Sequence, residues 1–202
     1  MQREVKNGVR TDEFIKAVAW SHEPAVQAEL RRIFQSTSDP DILRATVLAM
    51  DPENATAFRQ RLEEFISNLP KTEGGPFGEG YELLVTLGQQ FGTEARPAFE
   101  RYLQNASLQR RRSMCRVLAK VRGEWSIDLL APLLLDTRPA EGWTYAVVRG
   151  QNEPRLPIRI CDEAAETISQ NFPKLAFEME GEHAHLDKQI ERMQNQIAQH
   201  AY

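Results

Sequence analysis

The densest run of chemically capable side chains in this 202-residue chain is Arg110-Arg111-Arg112, continued by Arg116, Lys120 and Arg122. Arg112, Arg116 and Lys120 fall at i, i+4 and i+8, so a helix through them carries all three cations on one stripe. Guanidinium groups bind carboxylates and phosphates through paired, planar hydrogen bonds. Such a stripe therefore suits an acidic protein segment or a phosphate-bearing ligand. Arg155 and Arg159 extend that surface further along the chain. The competing reading is a solvated helix face whose arginines pair with nearby glutamates.

The other reactive residue types do not assemble into a catalytic pattern. His183 and His185, flanked by Glu182 and Asp187, form a His-x-His group, but a spacing of two on a helix sends the rings in different directions. His22-Glu23 lies at a turn and His200 in the tail, with no cysteine or histidine at ligand spacing. The chain has no Gly-x-Ser-x-Gly, no phosphate-cradling glycine loop and no His-Glu-x-x-His. Neither a catalytic residue nor a metal or cofactor is expected. Cys115 and Cys161 read as small buried apolar residues that suit a reducing compartment.

Composition narrows the partners. A net charge of −4 leaves no global basic surface for neutralising phosphates, which argues against nucleic acid as the partner. Charged residues make up 27% of the chain and the mean hydropathy is −0.51, with no run near the ~18 apolar residues of a spanning helix. Met1 to Lys6 carries no apolar signal-peptide core, so a cytoplasmic protein is expected.

The elements that must carry these side chains are helices. Five apolar triplets at i, i+3, i+4 recur: Ile15/Val18/Ala19, Ala45/Leu48/Ala49, Leu84/Leu87/Gly88, Cys115/Leu118/Ala119 and Cys161/Ala164/Ala165. Each ends in Ala or Gly, where a neighbouring helix can approach closely. Their third members advance by 30, 39, 31 and 46 residues, the range of stacked helical hairpins. Between them lie helices with broader apolar faces at Pro24–Gln35, Asn54–Asn68, Glu94–Gln104 and Ser126–Leu135. Asp39-Pro40 and Asp51-Pro52 are helix starts, Gly92 and Gly123 are stops, and residues 74–78 form a glycine-rich loop. A last helix over 182–200 has Leu186, Ile190, Met193 and Ile197 on a narrow stripe that suits a cap, or a short coiled coil.

The longest break in this pattern runs from Asp136 to Pro157 and contains Trp143 and Tyr145. It reads either as a functional loop or as a surface hairpin packing its aromatics on the stack, and Trp143 to Val148 has the composition of a short strand. The partner-binding set expected from the sequence is therefore Arg112, Arg116, Lys120, Trp143, Tyr145, Arg155 and Arg159.

The segment Pro157 to Ile168 resembles the second helix of a HEAT repeat, Ile127 to Asp136 resembles the first, and Arg112 to Val121 is similar to a second helix of the preceding unit. The resemblance implies an all-α, right-handed α-solenoid of four to five HEAT-like hairpins, one domain over 1–202, with the 136–157 insertion interrupting it. It further implies a protein-binding scaffold that uses the concave face lined by the second helices. Two HEAT-like enzyme types offer alternatives. An alkylpurine DNA glycosylase would need aromatics from Trp125, Trp143 and Tyr145 with a carboxylate from Asp128 or Asp162; a bilin lyase is the other.

Overall fold

The computed structural model describes residues 11–50, 55–68, 80–144 and 156–200. These residues are predominantly helical, and their contacts divide the chain into two compact units, Met1–Leu69 and Pro70–Tyr202.

The first unit contains α1 (Thr11–Val18), α2 (Pro24–Ser36), α3 (Pro40–Ala49) and α4 (Ala55–Ser67). The expected start at Asp39-Pro40 is present: the Asp39 carboxylate accepts from the backbone N–H groups of Asp41 and Ile42 at 2.8 and 3.1 Å. Those donors have no partner inside the helix, so the cap supplies one. The second start, Asp51-Pro52, lies outside the described residues, as does the 74–78 loop. Helix α3 packs on both α1 and α2, and Ile15, Leu30, Ile33 and Ala49 form the buried centre of this unit. Leu48, a member of the second triplet, is 55% exposed, because α3 turns Leu43, Thr46 and Ala49 inward instead. Phe34 of α2 meets Phe58 of α4 in a tilted ring pair 4.8 Å apart.

The second unit holds α5 (Tyr81–Phe91), α6 (Arg96–Leu103), α7 (Leu108–Val121), α8 (Ser126–Leu130), α9 (Ile160–Asn171) and α10 (His183–Ala198). Helix α7 packs on α5 and on α9, so three of the triplet helices lie side by side. Their triplets fill the interior: Leu84, Leu87, Cys115, Leu118, Cys161, Ala164 and Ala165 are all buried. The closing small residue has its predicted consequence at Gly88, where an added Cβ would lie 2.6 Å from both methyls of Val121 on α7. Gly92, at φ +52°, ends α5 as expected. Two helices are shorter than the apolar pattern suggests. Residues Gly92–Ala95 and Ala131–Leu135 are 3-10 turns. Pro132 lacks the N–H that would bond the Asp128 carbonyl, so the α8 geometry tightens there.

The all-helical expectation needs one correction, at the two ends of the 136–157 segment; of the short strand expected over Trp143 to Val148, residues 145–148 lie outside the described residues. Pro139–Thr144 forms strand β1 and Pro157–Arg159 forms strand β2, paired antiparallel with an irregular register. Each strand begins on a proline, a place where the missing N–H is tolerated. The pairing runs on into α9: the N–H groups of Ile160 and Cys161 donate to the carbonyls of Arg138 and Asp136 at 3.1 and 2.9 Å. The base of the hairpin thereby satisfies the first donors of the helix.

The C-terminal helix matches the 182–200 expectation, with Leu186, Ile190 and Met193 buried and Ile197 partly so. Replacing Gly88 by alanine is expected to lower stability by about 1–2 kcal/mol despite alanine's better helix propensity, because Val121 and Phe99 crowd the new methyl. Urea unfolding of G88A, of V121A and of the double variant tests this; the double variant should lose less than the sum of the single losses.

Candidate functional site

The expected cationic stripe on α7 divides when its side chains are placed. Lys120 is exposed, Arg116 is partly buried, and Arg112 is only 2% exposed. The Arg112 guanidinium is turned into the protein, where its Nε–H donates to Glu163 Oε1 of α9 at 2.6 Å. Arg116 reaches the same oxygen at 3.9 Å. Arg112 is thus an internal cation. Its burial corrects the reading of one continuous exposed stripe, and the cause is that Glu163, 51 residues away in sequence, is itself only 8% exposed.

This ion pair heads a polar seam between α7 and α9. Glu163, Thr167 and Asn171 are four residues apart and share a face of α9. Thr167 Oγ1 donates to the Cys115 carbonyl at 3.2 Å, and the Asn171 amide donates to the Leu118 carbonyl at 3.0 Å. Ala164 and Ala165, both buried, keep the intervening surface small. The seam's signature in the sequence is the four-residue spacing of Glu163, Thr167 and Asn171, to which apolar periodicity is blind.

Arg159 is also buried and committed. Its guanidinium donates to both oxygens of Asp162, at 3.0 and 2.8 Å, while Asp162 also accepts from the Arg159 backbone N–H at 2.9 Å. A further bond, 2.7 Å long, joins it to Asp187 on α10. One guanidinium therefore ties β2, the start of α9 and the C-terminal helix together. A parallel arrangement holds β1, where Asp136 accepts from the Arg138 side chain at 2.7 and 2.6 Å and meets Arg111 of α7 at 3.4 Å. The Arg138 side chain holds the Asp136 carboxyl below the usual carboxylate range. His183, at the start of α10, places Nε2 3.0 Å from the Pro157 carbonyl, which anchors that helix to β2.

The remaining sequence candidates divide between places. Trp143 contributes backbone to β1 and its ring lies outside the described residues, as do Tyr145 and Arg155. Trp125 stacks on Phe99, with ring centroids 5.4 Å apart and planes 7° from parallel. Asp128 pairs with Arg96. Among the described residues no group of three His, Cys, Asp or Glu side chains is arranged to hold a metal ion. Cys115 and Cys161 are buried free thiols. Burial, reinforced by the charge of Asp162, pushes the Cys161 thiol up to about 12, and burial likewise raises Cys115. Neither sulfur is an activated nucleophile.

What the seam leaves open is a cleft of about 370 Å³. Arg116 and Ala119 of α7, Ile158 of β2, Glu163, Glu166, Thr167 and Gln170 of α9, and Met179 from the segment before α10 line it. Sequence reasoning reached Arg116 but missed the carboxylates, because Glu163 and Glu166 read as solvated polar positions. Burial around its carboxyl, and then the negative charge of Glu163, raise Glu166 above the ordinary carboxylate range even though part of the side chain is exposed. No family model matches the chain, nor does any curated protein or solved structure. No described helix is long and apolar enough to cross a membrane.

Removing either member of the buried pair, as Arg112→Met or Glu163→Leu, is expected to cost about 3–5 kcal/mol, because the survivor is a buried charge that has lost its nearest counter-charge. The double variant, which buries no charge, should recover most of that loss in a urea-unfolding cycle. Glu166 gives a pH signature of opposite origin. A carboxyl whose pKa is raised on folding lowers stability as pH rises through that pKa. Glu166→Gln should therefore unfold at higher urea than the parent at pH 7, and the gap should close as pH falls below the ordinary value of 4.5.

Proposed function

We propose that this chain is a non-catalytic partner-binding module, built as a short right-handed α-solenoid of HEAT-like hairpins and acting in a reducing, cytoplasmic setting. The ordered packing of α5, α7 and α9 supports the solenoid, since those three carry the triplets of successive repeats. Two buried free thiols are in keeping with the setting. The observation that carries the binding role is the cleft between α7 and α9, the two helices that most resemble the second helices of HEAT repeats. It joins apolar wall from Ala119, Ile158 and Met179 to converging polar groups, the combination by which a surface holds another molecule in one orientation.

The same geometry weighs against the glycosylase alternative. A carboxylate that works on a nucleobase must be free to face it, whereas Asp162 is spent on Arg159 and Asp128 on Arg96. Trp125, offered as a stacking platform, is stacked on Phe99. The partner is then a protein that fits a cleft of mixed charge, with Arg116 and Lys120 as the outward cations of the stripe. Any acidic segment would meet those two, not Arg112 or Arg159.

A photo-crosslinking side chain placed at Gln170, on the exposed lip of the cleft, is expected to join the protein to a discrete partner adduct that Arg116→Glu abolishes. Duplex-DNA binding that weakens about tenfold or more between roughly 50 and 200 mM salt would overturn this reading.

A further inference from the structure

The α7–α9 cleft has a lining residue that comes from neither helix nor from the hairpin. Met179, part of its apolar wall with Ile158, belongs to the segment that joins α9 to α10. That segment is pinned at both ends. On one side Leu175 and Phe177 are buried, and the Phe177 N–H donates to Ser169 Oγ of α9 at 3.1 Å. On the other, α10 is held from its first turns by His183 at the Pro157 carbonyl, by Asp187 on Arg159 and by buried Leu186, Ile190 and Met193. Between those anchors Glu178, Glu180, Gly181 and Glu182 are exposed and Met179 is only partly buried. One side chain of α10 clamps this stretch. Gln189 Oε1 accepts from the Glu178 N–H at 2.9 Å, and Gln189 Nε2 donates to the Glu178 carbonyl at 3.0 Å. The same carbonyl accepts from the Glu180 N–H at 2.8 Å, which closes a three-residue turn with Met179 at its tip. Gly181 follows at φ +91°, a backbone conformation that a side chain would strain.

We infer that residues 178–182 form a gate on the α7–α9 cleft: the Gln189 clamp holds Met179 in the cleft wall, and release of the clamp lets the turn swing out about Gly181 while α10 stays docked. What each movement would expose decides between the turn and the whole helix. Displacing α10 would uncover Leu186, Ile190 and Met193 and strip Arg159 of one of its carboxylates. Opening the turn breaks two exposed hydrogen bonds and removes the partial cover of one methionine. Stretches with solvent-exposed hydrogen bonds and little buried apolar surface open far more readily than the whole fold. A few loop residues next to a helix terminus absorb the backbone rotation of such hinges, and Gly181 stands immediately before the Glu182 cap of α10. Methionine suits the tip, because its unbranched, flexible side chain covers an irregular apolar wall without locking into it. The identity of what an open gate admits rests on the binding-module reading, which the gate deepens by naming the element that controls entry; the movement itself does not depend on that reading.

The test combines amide hydrogen exchange of the full chain with thiol labelling inside the cleft. In the parent protein the Glu178 and Glu180 N–H groups should exchange by local opening, well before those of Ile190 and Met193 in α10. Gln189→Ala should speed exchange at Glu178 about tenfold or more, the loss of two modest hydrogen bonds, and leave Ile190 and Met193 as protected as before. For access to the cleft, Ala119→Cys puts a thiol on its α7 wall and Gln170→Cys puts one on its exposed lip, while the native Cys115 and Cys161 are buried. An aromatic disulfide reagent should label A119C faster when Gln189→Ala is added and should label Q170C at an unchanged rate. Met179→Ala, which removes the tip of the turn, should also speed A119C labelling and make it indifferent to Gln189→Ala. Exchange of Glu178 together with Ile190 in one event, A119C labelling that ignores Gln189→Ala, or additive effects of the Met179 and Gln189 changes would overturn the gate. The exchange readout needs no introduced thiol, so it decides the matter even where a cysteine variant fails to fold. The crosslinked adduct at Gln170 reports separately: its absence with these responses intact overturns the binding-module reading, and its presence without them overturns only the gate.

Discussion

The contact between Arg112 and Glu163 constrains more of the second unit than any other single interaction. Two ions removed from water each lose several kcal/mol of solvation, and they are tolerated only when held against one another with good geometry. A 2.6 Å bond between side chains that are 2% and 9% exposed meets that condition. It fixes which turn of α7 faces which turn of α9, since a slip of one residue along either helix would strand both charges. The Thr167 and Asn171 bonds to the Cys115 and Leu118 carbonyls follow in the same register, one turn after another. Apolar packing between α7 and α9 is less directional and would accept more than one alignment. The polar seam supplies the specificity that this packing lacks.

A second group of charges extends the order outward. Arg159 joins Asp162 to Asp187, and Asp136 joins Arg138 to Arg111, so both strands of the hairpin and both helices beyond it are tied by guanidinium–carboxylate pairs. Five arginines of the second unit, Arg111, Arg112, Arg116, Arg138 and Arg159, are directed at acidic residues of the same chain through these contacts and those at Glu163. An abundance of arginine here therefore speaks first about internal architecture. The cleft is a by-product of that architecture: Glu163 is both half of the seam and part of the cleft wall, and Glu166, one turn on, is carried to the rim by the same helix.

How far the sequence disclosed this can be judged residue by residue. The triplets at Leu84/Leu87/Gly88, Cys115/Leu118/Ala119 and Cys161/Ala164/Ala165 located three helices that lie side by side, because apolar spacing and small closing residues act locally and survive folding unchanged. Asp39 as a cap was legible for the same reason. Leu48 was misleading, since a triplet says which residues share a face and not which face a neighbour covers. The 3-10 turn after Leu130 followed from Pro132, whose single missing N–H outweighs a favourable apolar pattern. The arginine stripe was legible as a stripe and illegible as a site. Whether Arg112 meets solvent or Glu163 depends on a residue 51 positions away, and charge patterning along one helix carries no information about that. Glu166 was passed over because its character comes from where α9 is placed, not from its neighbours in sequence.

The central claim is that an arginine of the apparent recognition stripe is an internal strut that sets the α7–α9 register. The most direct measurement is the exchange of the Arg112 Nε–H with solvent, followed by 15N NMR at neutral pH and compared with Arg32, which makes a similar bond to Glu29 at the surface. The account predicts an Arg112 Nε–H resonance that persists long after that of Arg32 has exchanged, and that disappears in Glu163→Gln. Exchange of Arg112 as fast as that of Arg32, or protection that survives the loss of the Glu163 charge, would contradict it.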